Sequence, residues 1–490
     1  MKRVLKVIIS VAFGVCLTII PTGCALNITG KVVEKGNSII QSEVNDFKKG
    51  EFQGTVITNT GNGEVQISKE KNVYLKTGVF VSSTIYTQPF QNMILSCNAD
   101  TPEGTSVKIE VQVKADEKWS DWLNWGTWSI SSRAGSNVSK KENDFATMAE
   151  DVLQIKEDKK VADAIKYRLT LNTENTLLSP SIKMIAISIK NDIKPIPKVY
   201  KDEREQKDIS NFEKVLDVPK FSQTIRNPKY AMQICSPTCI TMVMQYYGID
   251  VLPDESASGV YDNLASLYGN WSFNCSYAGS YNLTAYTDYC NSLDDIRREI
   301  YNGHPVIASV RYKSSETIEG DLPVLHGVPI DKTEGHLVVV CGFENNGGKE
   351  YVVVNDPAAK DDESVRVKYL ADEFEKAWFK VVYIIHKGDG VDSKPRRIKA
   401  ELVPLGQKRQ FMTDIQYEYM LKSSSGEIDL ERDNIRAIMF TDNGKDYNYI
   451  NPNSSKTLWF DGGEGDKHYN FLIITNASQV YTAKINWTKR

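Results

Sequence analysis

The run Gln233-Ile-Cys-Ser-Pro-Thr-Cys-Ile-Thr-Met-Val-Met-Gln-Tyr-Tyr-Gly248 sets a cysteine at the start of a helix. Ser236 is a capping residue type and Pro237 suits a first helical position, so the helix is expected to open there. Ile240, Val243, Met244 and Tyr247 follow at helical spacing, and Gly248 supplies a C-terminal stop. Cys235 then stands just ahead of the helix N-terminus, where unpaired N–H groups and the positive end of the macrodipole favour a thiolate. The thiolate is the nucleophilic form. Taken alone, the position suits a nucleophile and a structural cysteine equally. Cys239, one turn on, reads as a small buried core residue, because C-x-x-x-C is not the spacing of a redox pair.

A nucleophilic thiol needs a base. Leu337–Phe343 and Tyr351–Asn355 read as two strands, and Asn345-Asn346-Gly347-Gly348 between them is a strong turn signal. A hairpin centred on that turn brings His336, before one strand, opposite Asp356, after the other. A carboxylate beside an imidazole fixes its tautomer and stabilises the imidazolium. The plainer reading of the same two residues is a solvated Asp-Pro turn and a strand-capping histidine. The remaining histidines, His304, His326, His386 and His468, have no comparably placed acid in the sequence, and His304 reads as part of a surface turn. No segment offers two ligands at metal-site spacing, so neither metal nor cofactor is expected. There is also no phosphate-binding loop and no G-x-S-x-G elbow.

These groups must be carried by a chain of 490 residues with eight cysteines and five histidines. Its net charge of −4 argues against nucleic acid as a partner. Residues 1–25 read as an export signal: Lys2, Arg3 and Lys6 precede an apolar run from Val7 to Ile20, too short to span a bilayer comfortably, and then small residues. An anchoring helix and lipidation at Cys24 are the alternatives, and extracellular or cell-surface location follows from all three. Residues 26–50 read as a linker. From 51 to 191 short alternating segments, such as Val107, Ile109, Val111 and Val113, predict a β-sandwich. Trp119, Trp122, Trp125 and Trp128 fall within ten residues and read either as core or as a platform for glycan. A charged, Pro-containing linker is expected at 192–211, a mixed α/β domain at 212–388, a second linker at 389–399, and a small β domain at 400–490. From Glu213 to Gly388 there are 16 Lys/Arg against 24 Asp/Glu, so the acidity is concentrated in the mixed domain.

The ordered set Val218-Pro-Lys-Phe-Ser-Gln223, Cys235-Ser-Pro-Thr238, Met242-Val-Met-Gln-Tyr-Tyr-Gly248, Gly269-Asn-Trp-Ser-Phe-Asn274, Gly303-His-Pro-Val306, Gly335-His-Leu-Val338, Val354-Asn-Asp-Pro357 and Ala377-Trp378 resembles the papain-like cysteine peptidases of the bacteriocin-leader-peptidase type, in particular their stand-alone C39-like relatives. The preceding region, with Trp119-Ser-Asp-Trp122 and Trp125-Gly-Thr-Trp128, resembles the sandwich that accompanies this domain in secreted bacterial proteins. The resemblance implies an α+β papain-like peptidase domain flanked by two β domains. It implies Cys235 as nucleophile, His336 as base and acid, Asp356 as its orienting acid and Gln223 as an oxyanion donor. Trp271 and Asn274 match a block expected near the cleft, as substrate-binding residues. A peptide or protein substrate is implied, with glycan or protein contacts through the β domains. Acyl transfer by the same triad and a non-catalytic surface-binding role are the competing readings. Departures are Cys239 and Ser236, where Ser/Ala and Gly are more usual, and the lack of any transporter or ATPase segment. Cys275 and Cys290 could pair, though six free thiols are preferred for the mature chain.

Overall fold

The computed structural model describes residues 24–26, 32–34, 36–58, 63–130, 134–136, 142–149, 151–199, 209, 212–388 and 395–488. The expected export signal, up to residue 23, lies outside them, as do 200–208 and 389–394 of the two expected linkers. No helix among the described residues is long and apolar enough to cross a membrane.

The N-terminal region is β-rich. A nine-stranded sheet contains Thr105–Ala115 and Ala162–Thr173; a seven-stranded sheet contains β1 (Asn92–Asp100) and β2 (Ser181–Lys190). The alternation is physical: Val107, Ile109, Val111 and Val113 are all buried. Residues 26–50 are more than a linker. Ser38–Gln41 is a strand paired with β2, and Phe47 is fully buried. Such a short strand shows no alternation to read, and Ile39 and Phe47 gain stability only from a surface built by later residues. The tryptophans divide. Trp125 and Trp128 are core, with the Trp128 ring centroid 5.4 Å from that of Phe273. Trp119 and Trp122 are half-buried under Lys166 and Arg168 at 5.3 and 4.6 Å.

The middle region sets helices against one antiparallel sheet. In chain order the elements used below are α1 (Cys235–Tyr246), α2 (Pro253–Val260), α3 (Trp271–Gly279), β3 (Leu283–Tyr289), α4 (Leu293–Asn302), β4 (Val306–Lys313), β5 (Lys332–Asn346), β6 (Lys349–Asn355), β7 (Arg366–Leu370) and β8 (Trp378–Lys387). The sheet runs β3-β8-β4-β5-β6-β7, with Lys214–Val215 also pairing with β5. The all-valine centre of β5 is buried, as a strand covered on both faces requires.

β3 is the sheet's edge, and an edge presents unpaired N–H groups. Here the N-terminal region meets them. Asn98 Oδ1, Ser96 Oγ and Ser188 Oγ accept from the N–H groups of Ala285, Thr287 and Tyr289 at 3.0, 3.0 and 2.9 Å. Asp288 adds contacts to Ser38 (2.6 Å), Ser188 (2.7 Å) and Lys198 (2.9 Å). Ser272 and Ser276 of α3 each donate at 2.6 Å to the Leu95 and Cys97 carbonyls of β1. The two regions share one hydrophobic core, and the first part of the expected linker joins it through buried Ile196.

Residues 395–488 form an eight-stranded sheet around a separate apolar cluster that includes Leu421, Phe460, Phe471 and Trp487. It docks on α2. Arg397 donates to both Glu255 oxygens at 2.9 and 2.6 Å, and Tyr449 donates to Asp254 at 2.9 Å.

Candidate active site

The helix begins two residues earlier than its capping residue types suggested. Cys235 is its first residue and Ile234 its N-cap, with no side-chain cap. Ser236 is in the first turn, its hydroxyl 2.9 Å from that of Tyr383. Pro237 is also tolerated there, because first-turn N–H groups lack intrahelical acceptors. The helix stops at Tyr246, and Gly248 follows in the left-handed region at φ +88°, as a C-terminal glycine stop requires.

The hairpin differs from the expected register in an instructive way. Gly347 and Gly348 alone make the turn, with φ +59° and +76°, so Asn345 and Asn346 are strand residues. Pairing runs from Asn346–Lys349 to Gly342–Val353, then shifts by one at Cys341 to Val340–Val354 and Val339–Asn355. Continued one step, this register sets Asp356 opposite Val338. His336 is therefore a diagonal neighbour on the same face. Without the extra residue Asp356 would lie opposite Val339, and His336 would project from the other face. The bulge at Cys341 thus decides whether the two side chains meet.

They do meet. His336 Nε2 is 2.8 Å from Asp356 Oδ1, with both residues buried. That bond leaves Nδ1 as the ring nitrogen open to another partner. Asp356 is held by two further donors, the Ala358 N–H to Oδ1 at 2.9 Å and the Tyr369 hydroxyl to Oδ2 at 2.9 Å. Tyr369 lies in ordinary β7 alternation, and no sequence signal marks it. Burial opposes a charge on His336, but the Asp356 charge and hydrogen bond, followed by Cys235, push its pKa up to about 10. Burial likewise opposes a Cys235 thiolate, yet His336 and the N–H groups of Leu337 and Ser236 bring the thiol below its ordinary value. Both shifts favour the charged form of the pair over the neutral one.

Cys235 is the one half-buried thiol among the six free cysteines of the described residues. Cys97, Cys275 and Cys341 are buried and pushed up to about 12 by desolvation. Cys290 and Cys239 are raised as well, and Cys239 Sγ donates to the Leu337 carbonyl at 3.3 Å. Cys275 and Cys290 are separate thiols, beside Thr287 and Lys198 respectively.

Gln223 is buried and stitched to the loop that carries Asp356: its N–H donates to the Pro357 carbonyl at 2.7 Å. Ser222 and Arg226 fasten the same segment to Asp362 at 2.6 and 2.7 Å. The Gln223 Oε1 is buried without a hydrogen-bond partner. Trp271 and Asn274 belong to α3, on the side that meets the N-terminal region. Asn274 Nδ2 donates to the Tyr268 and Asn270 carbonyls at 2.9 and 2.8 Å, and the Trp271 N–H donates to Asp151. Two other histidines do have acids: His326 faces Glu373 at 2.9 Å and His386 faces Glu299 at 2.7 Å. Each acid comes from a distant helix, which linear spacing cannot reveal.

Residues 215–384 match the Peptidase C39 like family and residues 39–189 match the Peptidase C39 N-terminal domain. No curated protein matches the chain. Among solved structures, a C39-like peptidase from Bacillus anthracis aligns over 36% of this chain and 100% of its own at 16% identity, TM-score 0.28. The peptidase domain of the bifunctional ABC transporter ComA from Streptococcus aligns over 34% and 96% at 16% identity, TM-score 0.22. A procathepsin B from Trypanosoma congolense aligns over 38% and 81% at 14% identity, TM-score 0.25. The segment that carries Cys235, His336 and Asp356 belongs to the Peptidase C39 like family, and a Peptidase C39 N-terminal domain precedes it.

Proposed function

We propose that the protein is an exported cysteine peptidase that hydrolyses peptide bonds through Cys235, His336 and Asp356, with Gln223 in the oxyanion hole. The observation that carries this reading is the buried His336–Asp356 pair, with Asp356 held in addition by Ala358 and Tyr369, together with a Cys235 at the start of α1 whose thiol His336 pulls below its ordinary value. The Cys235 thiolate attacks the scissile carbonyl carbon. The oxyanion is met by the Gln223 side-chain N–H₂ and by the Cys235 N–H, which as a first-turn group has no intrahelical acceptor. As the C–N bond breaks, the imidazolium gives its proton to the leaving amine, and the acyl group remains on sulfur as a thioester. Neutral His336 then takes a proton from water, hydroxide adds to the thioester, and the thiolate leaves as the acid departs. In this reading the chain is a papain-like α+β domain between a β-sandwich and a small C-terminal β domain, delivered outside the cell by residues 1–25.

The test is a digest of a proteome-derived peptide library. Wild type should cleave, and Cys235→Ala and His336→Ala, each folded by circular dichroism, should not. Full activity in either variant would remove the mechanism. Added amines intercepting the acyl group in preference to water would shift the assignment to acyl transfer.

A further inference from the structure

We propose that Glu299, His304 and His386 form a binding site for one divalent transition-metal ion of the Zn²⁺ class, structural in role and separate from Cys235. The three come from different segments: Glu299 from the last turn of α4, His304 from the loop after its Gly303 cap, and His386 from the end of β8. One ligand atom from each lies within 4.8 Å of the other two. Tetrahedral coordination at about 2.0–2.2 Å sets such atoms about 3.3–3.6 Å apart, a change within reach of small side-chain rotations.

His304 is prepared as a ligand. Tyr247 donates its single hydroxyl proton to the Ile385 carbonyl at 2.8 Å, so its oxygen must accept from His304 Nδ1, 3.0 Å away. That fixes the Nδ1–H tautomer and leaves the Nε2 lone pair free, the outer support that metal-binding histidines commonly have. The two imidazoles lie 4.2 Å apart.

The His386 Nε2–H donates to Glu299 Oε2 at 2.7 Å. The cation would replace that proton, which passes to the other ring nitrogen or to solvent. The nearby Lys198 and Lys214 are engaged elsewhere, with Asp288 at 2.9 Å and the Tyr301 carbonyl at 3.0 Å. Side-chain exposures of 33% for His386 and 20% for Glu299 give an ion, and a water as fourth ligand, a way in. Two imidazoles and one carboxylate suit Zn²⁺, Co²⁺ or Ni²⁺; Ca²⁺ and Mg²⁺ require oxygen ligands.

Tyr247 caps the C-terminal end of α1, about 18 Å of helix from Cys235. The ion would clasp that end to α4, to the approach of β4 and to β8, without touching the reacting groups.

The full chain carrying Cys235→Ala removes the competing thiolate and is titrated with Zn²⁺ by calorimetry and with Co²⁺ by visible absorption. One ion per chain and tetrahedral Co²⁺ bands are expected. His304→Ala, His386→Ala and the conservative Glu299→Gln should each weaken binding tenfold or more, and Tyr247→Phe by about tenfold. Zn²⁺ should raise the melting temperature of the parent and not that of the variants. Absence of saturable binding, equal affinity in the folded variants, or preference for Ca²⁺ would overturn the site, whatever the outcome for peptidase activity.

Discussion

Asp356→Asn tests the charge logic of the triad directly. It preserves shape and removes the charge beside His336. Burial alone depresses the imidazolium; the Asp356 charge and hydrogen bond, and after them Cys235, outweigh it and give a net lift from 6.5 to about 10. At about 1.4 kcal/mol per pH unit, that lift amounts to about 5 kcal/mol in favour of the charged ring. The competent pair is thiolate with imidazolium. Activity therefore rises as pH climbs through the lowered Cys235 value and falls as pH passes about 10. Without the carboxylate charge the alkaline limb should move from about 10 toward neutrality. At pH 7 the pair reverts mostly to neutral thiol and neutral imidazole, and kcat/KM should drop by at least about 10²-fold. Two assays read this: the kcat/KM profile on a cleaved library peptide, and the pH dependence of iodoacetamide alkylation with mass mapping of the label. In wild type the fast label should sit on Cys235, since the other described thiols are buried with raised pKa values. In the variant its midpoint should move up toward an ordinary thiol, about 8.5. A folded Asp356→Asn protein with an unshifted alkaline limb and an unchanged alkylation profile would refute the reasoning.

Two other perturbations separate chemistry from architecture. Gln223→Ala should lower kcat by about 10²–10³-fold with little change in KM, as loss of one oxyanion donor does, measured by steady-state kinetics. Asp288→Asn should leave Lys198 as a buried charge without its counter-ion and loosen the Ser38 and Ser188 contacts. The expected destabilisation is about 3 kcal/mol or more, read by denaturant unfolding, with earlier proteolysis between the N-terminal and middle regions.

The local signals in the sequence were sufficient where the physics is local. Periodicity, the Gly248 stop and the Gly-Gly turn identify α1 and the β5–β6 hairpin, because helix spacing and turn sterics depend on neighbours in the chain. The order of short motifs marks Cys235, His336, Asp356 and Gln223 as one set. What it could not supply was the register. One extra residue at Cys341 turns His336 onto the face of Asp356, and a bulge has no composition of its own. Nor could spacing predict that Ser96, Asn98 and Ser188 cover the free edge of β3, that Tyr369 holds Asp356, or that Glu299, His304 and His386 converge. Those are contacts between segments distant along the chain. Polar side chains at such positions look like ordinary surface residues until folding brings their partners beside them. The sequence by itself therefore determined which residues could carry the chemistry, and the tertiary structure alone decided which of them touch.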